Sequence, residues 1–324
     1  MLYRTLPGTE LQVPAIGLGC WALGGEHWGD DVDDASSLAL IEGARERGVD
    51  LFDTAPLYGH GHADALLRRA LGGTRHEVVI ATKVGVRWDT PDGHPRSDLS
   101  PAHVVADCEA SLVRLGLDVI PLLQTHWPCE GGTPLAATLE ALEGLRQAGK
   151  VRAYGLCNAP PADLDEALAL APIASLQTPY SMIRRDFEAA LRGRCGALGA
   201  DGRWQQRLGV LAYEALGRGL LTGKFAAAPA FPESDMRRHD PRFREPAWST
   251  LRPLREALRI CAARVEVPPA ALAIAWVLRQ PGVSVALVGA KRLAQLDEDL
   301  RALEVIGRAR VFEALAPFVA RARP

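Results

Sequence analysis

The chain is predicted to be an α/β protein: a single (β/α)8 TIM barrel with a long loop after the seventh strand and an N-terminal β segment. Three observations carry this prediction. Eight short apolar runs recur along the chain, and each is followed by a stretch with helical patterning. Several runs end in a polar, chemically capable residue: Leu51-Phe52 before Asp53, Val78-Val79-Ile80 before Lys83, and Ile120 to Leu123 before His126, with Asp53 running on to Tyr58. Carboxyl ends of strands are where parallel α/β folds hold their chemistry, and a closed barrel gathers residues from different strands around one mouth. No stretch reads as an interdomain linker, so residues 1–324 form one domain in this reading, and a long doubly wound sheet fits the regular β–α spacing less well.

Taken in order, Ala15 to Gly19 is the first run, followed by a helix from about Asp34 to Arg47 that Gly48 closes. Val49 to Phe52 leads to a helix over Ala63 to Leu71, stopped by Gly72-Gly73. Val78 to Thr82 precedes a loop and then Ser100-Pro101, an N-cap serine with proline at the first helical position, opening a helix to Leu115. Val119 to Leu123 precedes Pro134 to Ala148, Val151 to Leu156 precedes Ala162 to Leu170, and Ile173 to Leu176 precedes a helix from about Asp186. Leu208 to Ala212 is the seventh run. Behind it lies Phe225 to Pro246, with four prolines and the charged centre Asp235-Met236-Arg237-Arg238-His239-Asp240, long enough to be a functional cover over the mouth. Helices near Thr250 to Ala263 and Pro269 to Arg279 bring the eighth run, Val283 to Val288, and a last helix from about Leu293.

Composition narrows the function. A hydrophobic share of 48% and a charged share of 23% are near globular averages, and a net charge of -2 offers no electrostatic case for nucleic acid or an anionic membrane. No uncharged run approaches the roughly 18 residues of a membrane span, and Met1 to Thr5 lacks the layout of a signal peptide, so a cytoplasmic protein is expected. The six cysteines, Cys20, Cys108, Cys129, Cys157, Cys195 and Cys261, have no C-x-x-C spacing and are expected as thiols.

Gly17-Leu18-Gly19-Cys20-Trp21-Ala22 matches a relaxed dinucleotide-binding pattern, but that motif must open a helix, and helix-favouring sequence begins only near Asp34. His60 and His62 lack a carboxylate or cysteine partner in their turn, so they read as helix-entry chemistry and no metal is expected. Trp21, Trp88 and Trp127 each follow a strand at the same mouth and form an expected aromatic wall for a substrate ring.

Ordered motifs then point further: Leu51 to Gly59, Ala81-Thr82-Lys83, Leu123 to Pro128, Gly155-Leu156-Cys157-Asn158, Gln177-Thr178-Pro179-Tyr180, Ala212 to Lys224, and Gly289-Ala290-Lys291. Together they resemble the aldo-keto reductase family over essentially the whole chain. The likeness is nearest to bacterial NADPH-dependent reductases of the inositol-catabolism-associated type, through Trp-Ala-x-Gly-Gly, Asp-x-Arg-x-His-Asp-Pro and His-Trp-Pro segments. The resemblance implies reversible reduction of an aldehyde or ketone by a tetrad of Asp53, Tyr58, Lys83 and His126. Tyr58 would be the general acid, Lys83 its charge partner, Asp53 the anchor, and His126 a donor to the substrate oxygen. A Lys83 ammonium about 4 Å from the phenol would stabilise its phenolate by on the order of 4 kcal/mol at an effective dielectric near 20, before desolvation.

For NADPH, the resemblance puts Cys157, Asn158 and Gln177 at the nicotinamide carboxamide and Tyr213 beneath its ring. Leu216, Arg218, Gly219 and Lys224 would follow the pyrophosphate. Gly289, Lys291, Arg292, Gln295 and Asp299 would hold the adenosine end, with Lys291-Arg292 at a helix start suited to a 2′-phosphate, so NADPH is preferred to NADH. Cys157 replaces the motif's usual serine, Ala159 a common phenylalanine, and Glu214 a small residue or serine. The implied partner is a small carbonyl compound. Two other functions fit less of the sequence: a cofactor-occupied binding subunit of the channel-regulating type, and a metal-dependent barrel hydrolase using Asp53 and His126.

Overall fold

The computed structural model describes residues 1–29, 31–90 and 93–322. Eight parallel strands close into a barrel: β1 (Ile16–Gly19), β2 (Leu51–Asp53), β3 (Val79–Val84), β4 (Ile120–Thr125), β5 (Val151–Cys157), β6 (Ser175–Pro179), β7 (Gly209–Tyr213) and β8 (Val283–Val288). Each pairs with the next in sequence, and β8 closes on β1 through Ala286 opposite Ile16. A hairpin of Tyr3–Thr5 with Gln12–Pro14 is the expected N-terminal β segment. Helices α1 (Asp34–Glu46), α2 (His62–Leu71), α3 (Pro101–Leu115), α4 (Leu135–Gln147) and α5 (Pro161–Leu170) follow the first five strands. α6 (Arg252–Arg264) and α7 (Pro269–Leu278) precede β8, and α8 (Leu293–Leu300) and α9 (Ala309–Arg321) come after it.

The period of two along each strand sorts side chains between the barrel interior and the helical shell. Leu51, Ala81, Leu122, Ala153, Leu211 and Val285 fill the interior, and Leu6, Leu11 and Val13 of the hairpin region pack against them. Two residues further along, the same inward parity carries Asp53, Lys83, Gln124 and Tyr213, so an apolar floor sits directly below a polar layer. Small residues make room within this filling: a Cβ on Gly17 would lie 2.9 Å from Leu51, and one on Gly155 only 2.2 Å from the Ser175 hydroxyl. Outward residues such as Phe52, Leu123 and Tyr154 pack into the shell.

Several expectations shift at this level. Strands β2, β3, β4, β5 and β6 run one to three residues past the end of their predicted runs, because the ladder continues through the polar layer. Ser100 makes no side-chain cap; its backbone N–H instead donates to Asp98 at 3.0 Å. Two short helical pieces and an antiparallel hairpin, Gly196–Leu198 with Trp204–Gln206, occupy the connection before β7, where a helix was expected from Asp186. The final helix is α9, beyond the predicted α8. Gly17 and Gly19 lie in β1, followed by a single 3-10 turn at Trp21–Gly24, with α1 starting only at Asp34, so the dinucleotide-type helix opening is absent there.

Candidate active site

Asp53 ends β2, Lys83 lies near the end of β3, and His126 directly follows β4, so three strand ends deliver three members of the tetrad. Tyr58 arrives on the β2–α2 turn. Its backbone is wedged against the β1 loop, where Gly24 and Gly59 meet without side chains: a Cβ on Gly24 would come within 2.7 Å of the Gly59 nitrogen, and one on Gly59 within 2.2 Å of the Gly24 carbonyl oxygen. The first turn of α2 completes the placement, with the Ala63 N–H donating to the Tyr58 carbonyl at 3.3 Å.

The Lys83 ammonium is 1% exposed and donates to both Asp53 oxygens at 2.9 and 2.8 Å, to the Thr54 carbonyl at 2.9 Å, and lies 3.2 Å from the Tyr58 hydroxyl. Asp53 also accepts from Gln177 Nε2 at 2.7 Å, and the same nitrogen donates to Gln124 Oε1 at 3.1 Å, which in turn is tied through Gln124 Nε2 to the Ser175 hydroxyl. The Tyr58 and His126 rings meet edge to face at 5.9 Å.

Burial works against the Lys83 charge, but the adjacent Asp53 carboxylate overrides it and holds the lysine above its ordinary pKa. For Tyr58 the balance runs against the expectation from the sequence. Burial, aided by the Asp53 charge, outweighs the stabilising pull of Lys83, so the phenol lies above its ordinary pKa. Burial and the nearby lysine charge keep His126 well below the histidine range, as a neutral imidazole. The site therefore holds a protonated phenol beside a fixed ammonium.

Trp21 stacks over Tyr58 with centroids 6.2 Å apart, Trp28 meets Trp21 edge to face at 5.3 Å, and Trp127 lies 5.0 Å from His126. Trp88, the third expected wall residue, stacks on His60 at 5.8 Å, and His62 pairs with Asp34 at 2.8 Å. Asn158, in a left-handed conformation, accepts from the Tyr213 hydroxyl at 2.8 Å and donates to the His126 carbonyl at 3.1 Å and to Cys157 Sγ at 3.2 Å. Cys157 Sγ in turn lies 3.6 Å from Gln177 Oε1, and burial pushes its thiol up to about 12.

Beyond Tyr213, charged side chains from the end of β7, the Phe225 to Pro246 loop and the segment before α8 lie close together. Glu214 is turned into a cluster of guanidinium groups: it accepts from Arg218 at 2.7 Å, Arg242 at 3.2 Å and Arg184 at 3.4 Å. Burial alone would raise its pKa, but these cations hold it below the usual carboxylate range. Asp240 adds a second anchor for Arg242 and lies 3.5 Å from Arg218. Around Gly219, whose Cβ would sit 3.4 Å from the Lys224 ammonium and 3.7 Å from Arg237, cations crowd together. Desolvation and the charges of Arg237 and Lys291 pull the Lys224 pKa down.

The Phe225 to Pro246 loop meets the β1 loop beside this cluster: Trp28 bridges to Asp235, and the Met236 N–H donates to the His27 carbonyl at 2.9 Å. Lys291 reaches across to Asp31 and the Trp28 carbonyl. Its backbone N–H donates to Gln295 Oε1 at 2.8 Å. Gly289 is exposed, with nothing within 4 Å of a Cβ built there. Leu216 is partly buried against the core, and Arg292 is exposed at the N-cap of α8. Asp299 is 3% exposed, and burial drives its carboxyl well above the usual range. Arg237, Trp28, Asp31, Gln124, Arg184 and Arg242 were not among the expected site residues. Signals existed for Gln124, inside the Leu123 to Pro128 motif, and for Arg237 and Arg242, inside the long loop; Trp28, Asp31 and Arg184 had none.

Fold and site together define a (β/α)8 barrel enzyme-type centre built on a buried carboxylate–ammonium pair beside a half-buried phenol. The aldo/keto reductase family model matches residues 15–315, and the chain belongs to that family. Aldo-keto reductase YhdN of Bacillus subtilis is 34% identical over 300 residues, covering 92% of this chain and 87% of that protein. Aldo-keto reductase yakc [NADP(+)] of Schizosaccharomyces pombe is 31% identical, covering 90% and 84%. Among solved structures, the glycerol dehydrogenase AKR11B4 from Gluconobacter oxydans superposes with a TM-score of 0.85 at 32% identity, over 99% of this chain and 97% of that one. The holo form of AKR11C1 from Bacillus halodurans gives 0.81 at 25% identity, over 100% and 98%.

Lys83→Met leaves Asp53 buried without its cation and is expected to cost about 3–5 kcal/mol in urea unfolding, much of it recovered in the Asp53→Asn/Lys83→Met double variant. Equal stability of the single variant and the wild type would contradict the pairing.

Proposed function

We propose that the protein is an NADPH-dependent oxidoreductase that reduces an aldehyde or ketone to an alcohol, reversibly, with Tyr58 as general acid and base. The 3.2 Å contact between the Tyr58 hydroxyl and the buried Lys83 ammonium carries this reading. The cofactor, when bound, supplies the hydride. A phenol kept neutral by burial holds its proton at working pH and can give it to a carbonyl oxygen as negative charge develops there. The departing proton leaves a phenolate facing Lys83, whose charge Asp53 secures. Neutral His126 donates to the same oxygen, and Trp21 and Trp127 shield it from water. In oxidation Tyr58 takes the alcohol proton back.

The chemistry of the residues beyond the tetrad fits the cofactor. Asn158 and Gln177 spend their amide hydrogens within the protein and, beyond the Tyr213 hydroxyl and the Cys157 thiol, each keeps one carbonyl lone pair for a carboxamide N–H, beside the Tyr213 ring as a stacking face. The cations at Gly219, with Leu216 and Arg218 alongside, form a cradle for a pyrophosphate that a side chain would fill. Lys291 and Arg292 suit a 2′-phosphate, with Gln295 and Asp299 further along α8 at the adenosine end. The NADP(+) in the name of the fission-yeast relative supports the same choice. The Trp-Ala-x-Gly-Gly, Asp-x-Arg-x-His-Asp-Pro and His-Trp-Pro segments support the inositol-catabolism-associated type within the family.

Stopped-flow mixing of NADPH-loaded protein with 4-nitrobenzaldehyde tests the reaction. Tyr58→Phe is expected to slow hydride transfer by about 10²-fold or more, and a wild-type protein that oxidises NADPH with no carbonyl would overturn the proposal. Fluorescence titration tests the cofactor: Arg292→Ala should weaken NADPH binding by roughly tenfold and leave NADH unchanged. Equal loss for both cofactors would remove the 2′-phosphate assignment.

A further inference from the structure

Outside the barrel wall, between α2 and α3, lies a charged cluster that the proposed reaction does not use. Asp64, on the first turn of α2, is fully buried, and Asp107 on α3 is 7% exposed. Between them sits the Arg114 guanidinium. Arg114 Nε donates to Asp64 at 3.1 Å, Nη2 lies 3.7 Å from Asp107, and Nη2 also donates to Ser111 Oγ at 2.8 Å. Asp107, Ser111 and Arg114 share one face of α3 through their helical spacing. Room for the arginine stem comes from Gly61, where a Cβ would lie 3.0 Å from Arg114 Cδ.

What the two carboxylates hold is informative. Asp64 accepts from the Thr54 hydroxyl at 2.7 Å, and Thr54 is the residue whose backbone carbonyl accepts from the Lys83 ammonium. The helix that carries Asp64 also grips the Tyr58 carbonyl through the Ala63 N–H. On the other side, Asp107 accepts from the Gly85 N–H at 3.0 Å, and the preceding carbonyl, Val84, accepts from the His126 N–H at 3.0 Å. Gly85 takes a left-handed φ of +90°, a backbone position that side chains rarely adopt. One arm therefore leads to Lys83 and Tyr58, the other to His126.

We propose that Arg114 is a positioning residue for the tetrad: its guanidinium holds two buried carboxylates, and each fixes the backbone on one side of the Lys83 ammonium. The assignment rests on the proposed carbonyl reduction. Burial raises the pKa of both carboxyls, and Asp64 and Asp107 repel each other, so without the cation the seam loses charge balance and its grip on Thr54 and Gly85. Displacements well under an ångström at Lys83 and His126 matter because proton donation and oxygen binding must be aligned together.

The test is single-turnover hydride transfer to 4-nitrobenzaldehyde alongside NADPH affinity by fluorescence titration. Arg114→Met is expected to slow transfer by about tenfold or more, with NADPH Kd within about twofold of wild type, because the proposed cofactor contacts are untouched. Arg114→Lys should recover most of the rate by restoring the charge. Thr54→Val, which removes only the hydroxyl to Asp64, should slow transfer by roughly threefold with the same unchanged affinity, and it decides the matter if Arg114→Met does not fold. A folded Arg114→Met protein with wild-type transfer, a parallel loss of NADPH affinity, or an unaffected Thr54→Val where Arg114→Met does not fold would overturn the assignment. A wild-type protein that binds NADPH but transfers hydride to no carbonyl would overturn the proposed function itself.

Discussion

The rest of this site depends on one buried ion pair. An ammonium inside a barrel is tolerable only when its charge is met and its hydrogens are used, and Lys83 is met by both oxygens of Asp53 with a third acceptor in the Thr54 carbonyl. Asp53 then requires donors beyond the lysine, and Gln177 supplies one. Gln177 leans on Gln124, and Gln124 on Ser175. The polar layer is thus a connected consequence of putting one charge at that depth, with the apolar floor of Leu51, Ala81 and Leu122 beneath it. Tyr58 takes its character from the same pair: close enough to the ammonium for its phenolate to be stabilised, yet desolvated enough to keep the proton at rest.

Beyond Tyr213 the arrangement is looser. Carboxylates there act chiefly as anchors for cations: Glu214 and Asp240 for Arg218 and Arg242, Asp235 for Arg237, and Asp31 for Lys291. The Glu214–Arg242 pair ties the end of β7 to the Phe225 to Pro246 loop, and the Asp31–Lys291 pair ties the β1 loop to the segment after β8. The departure at Glu214 has its physical reason here. Its carboxylate is absorbed by three guanidinium groups and so does not stand as a bare negative charge.

Much of the fold was legible because barrel strands buried on both faces read as apolar runs, and the glycine stops at Gly48 and Gly72 take positive φ where helices end. Strand ends were misjudged for a functional reason. Asp53, Lys83, Gln124 and Gln177 break the apolar run while their backbones stay in the ladder. The Gly196–Gln206 hairpin has an exposed Leu198 and too few alternating positions to signal itself. That Asp53, Tyr58, Lys83 and His126 come together was legible, three from their strand-end positions and Tyr58 from the motif that runs on from Asp53. The sign of the Tyr58 shift was not, because it follows from burial, which no local pattern reports. Arg114, Asp64 and Asp107 were equally hidden, since they read as ordinary helix-surface charges until α2 and α3 pack together.

The central claim is that Tyr58 rests as a neutral phenol beside a permanently charged Lys83. Ultraviolet titration of tyrosine ionisation, taken as the difference between wild type and Tyr58→Phe, tests this directly. Tyr58 is expected to contribute no phenolate below about pH 10, the ordinary range of a free tyrosine. A phenolate signal from Tyr58 near neutral pH would contradict it.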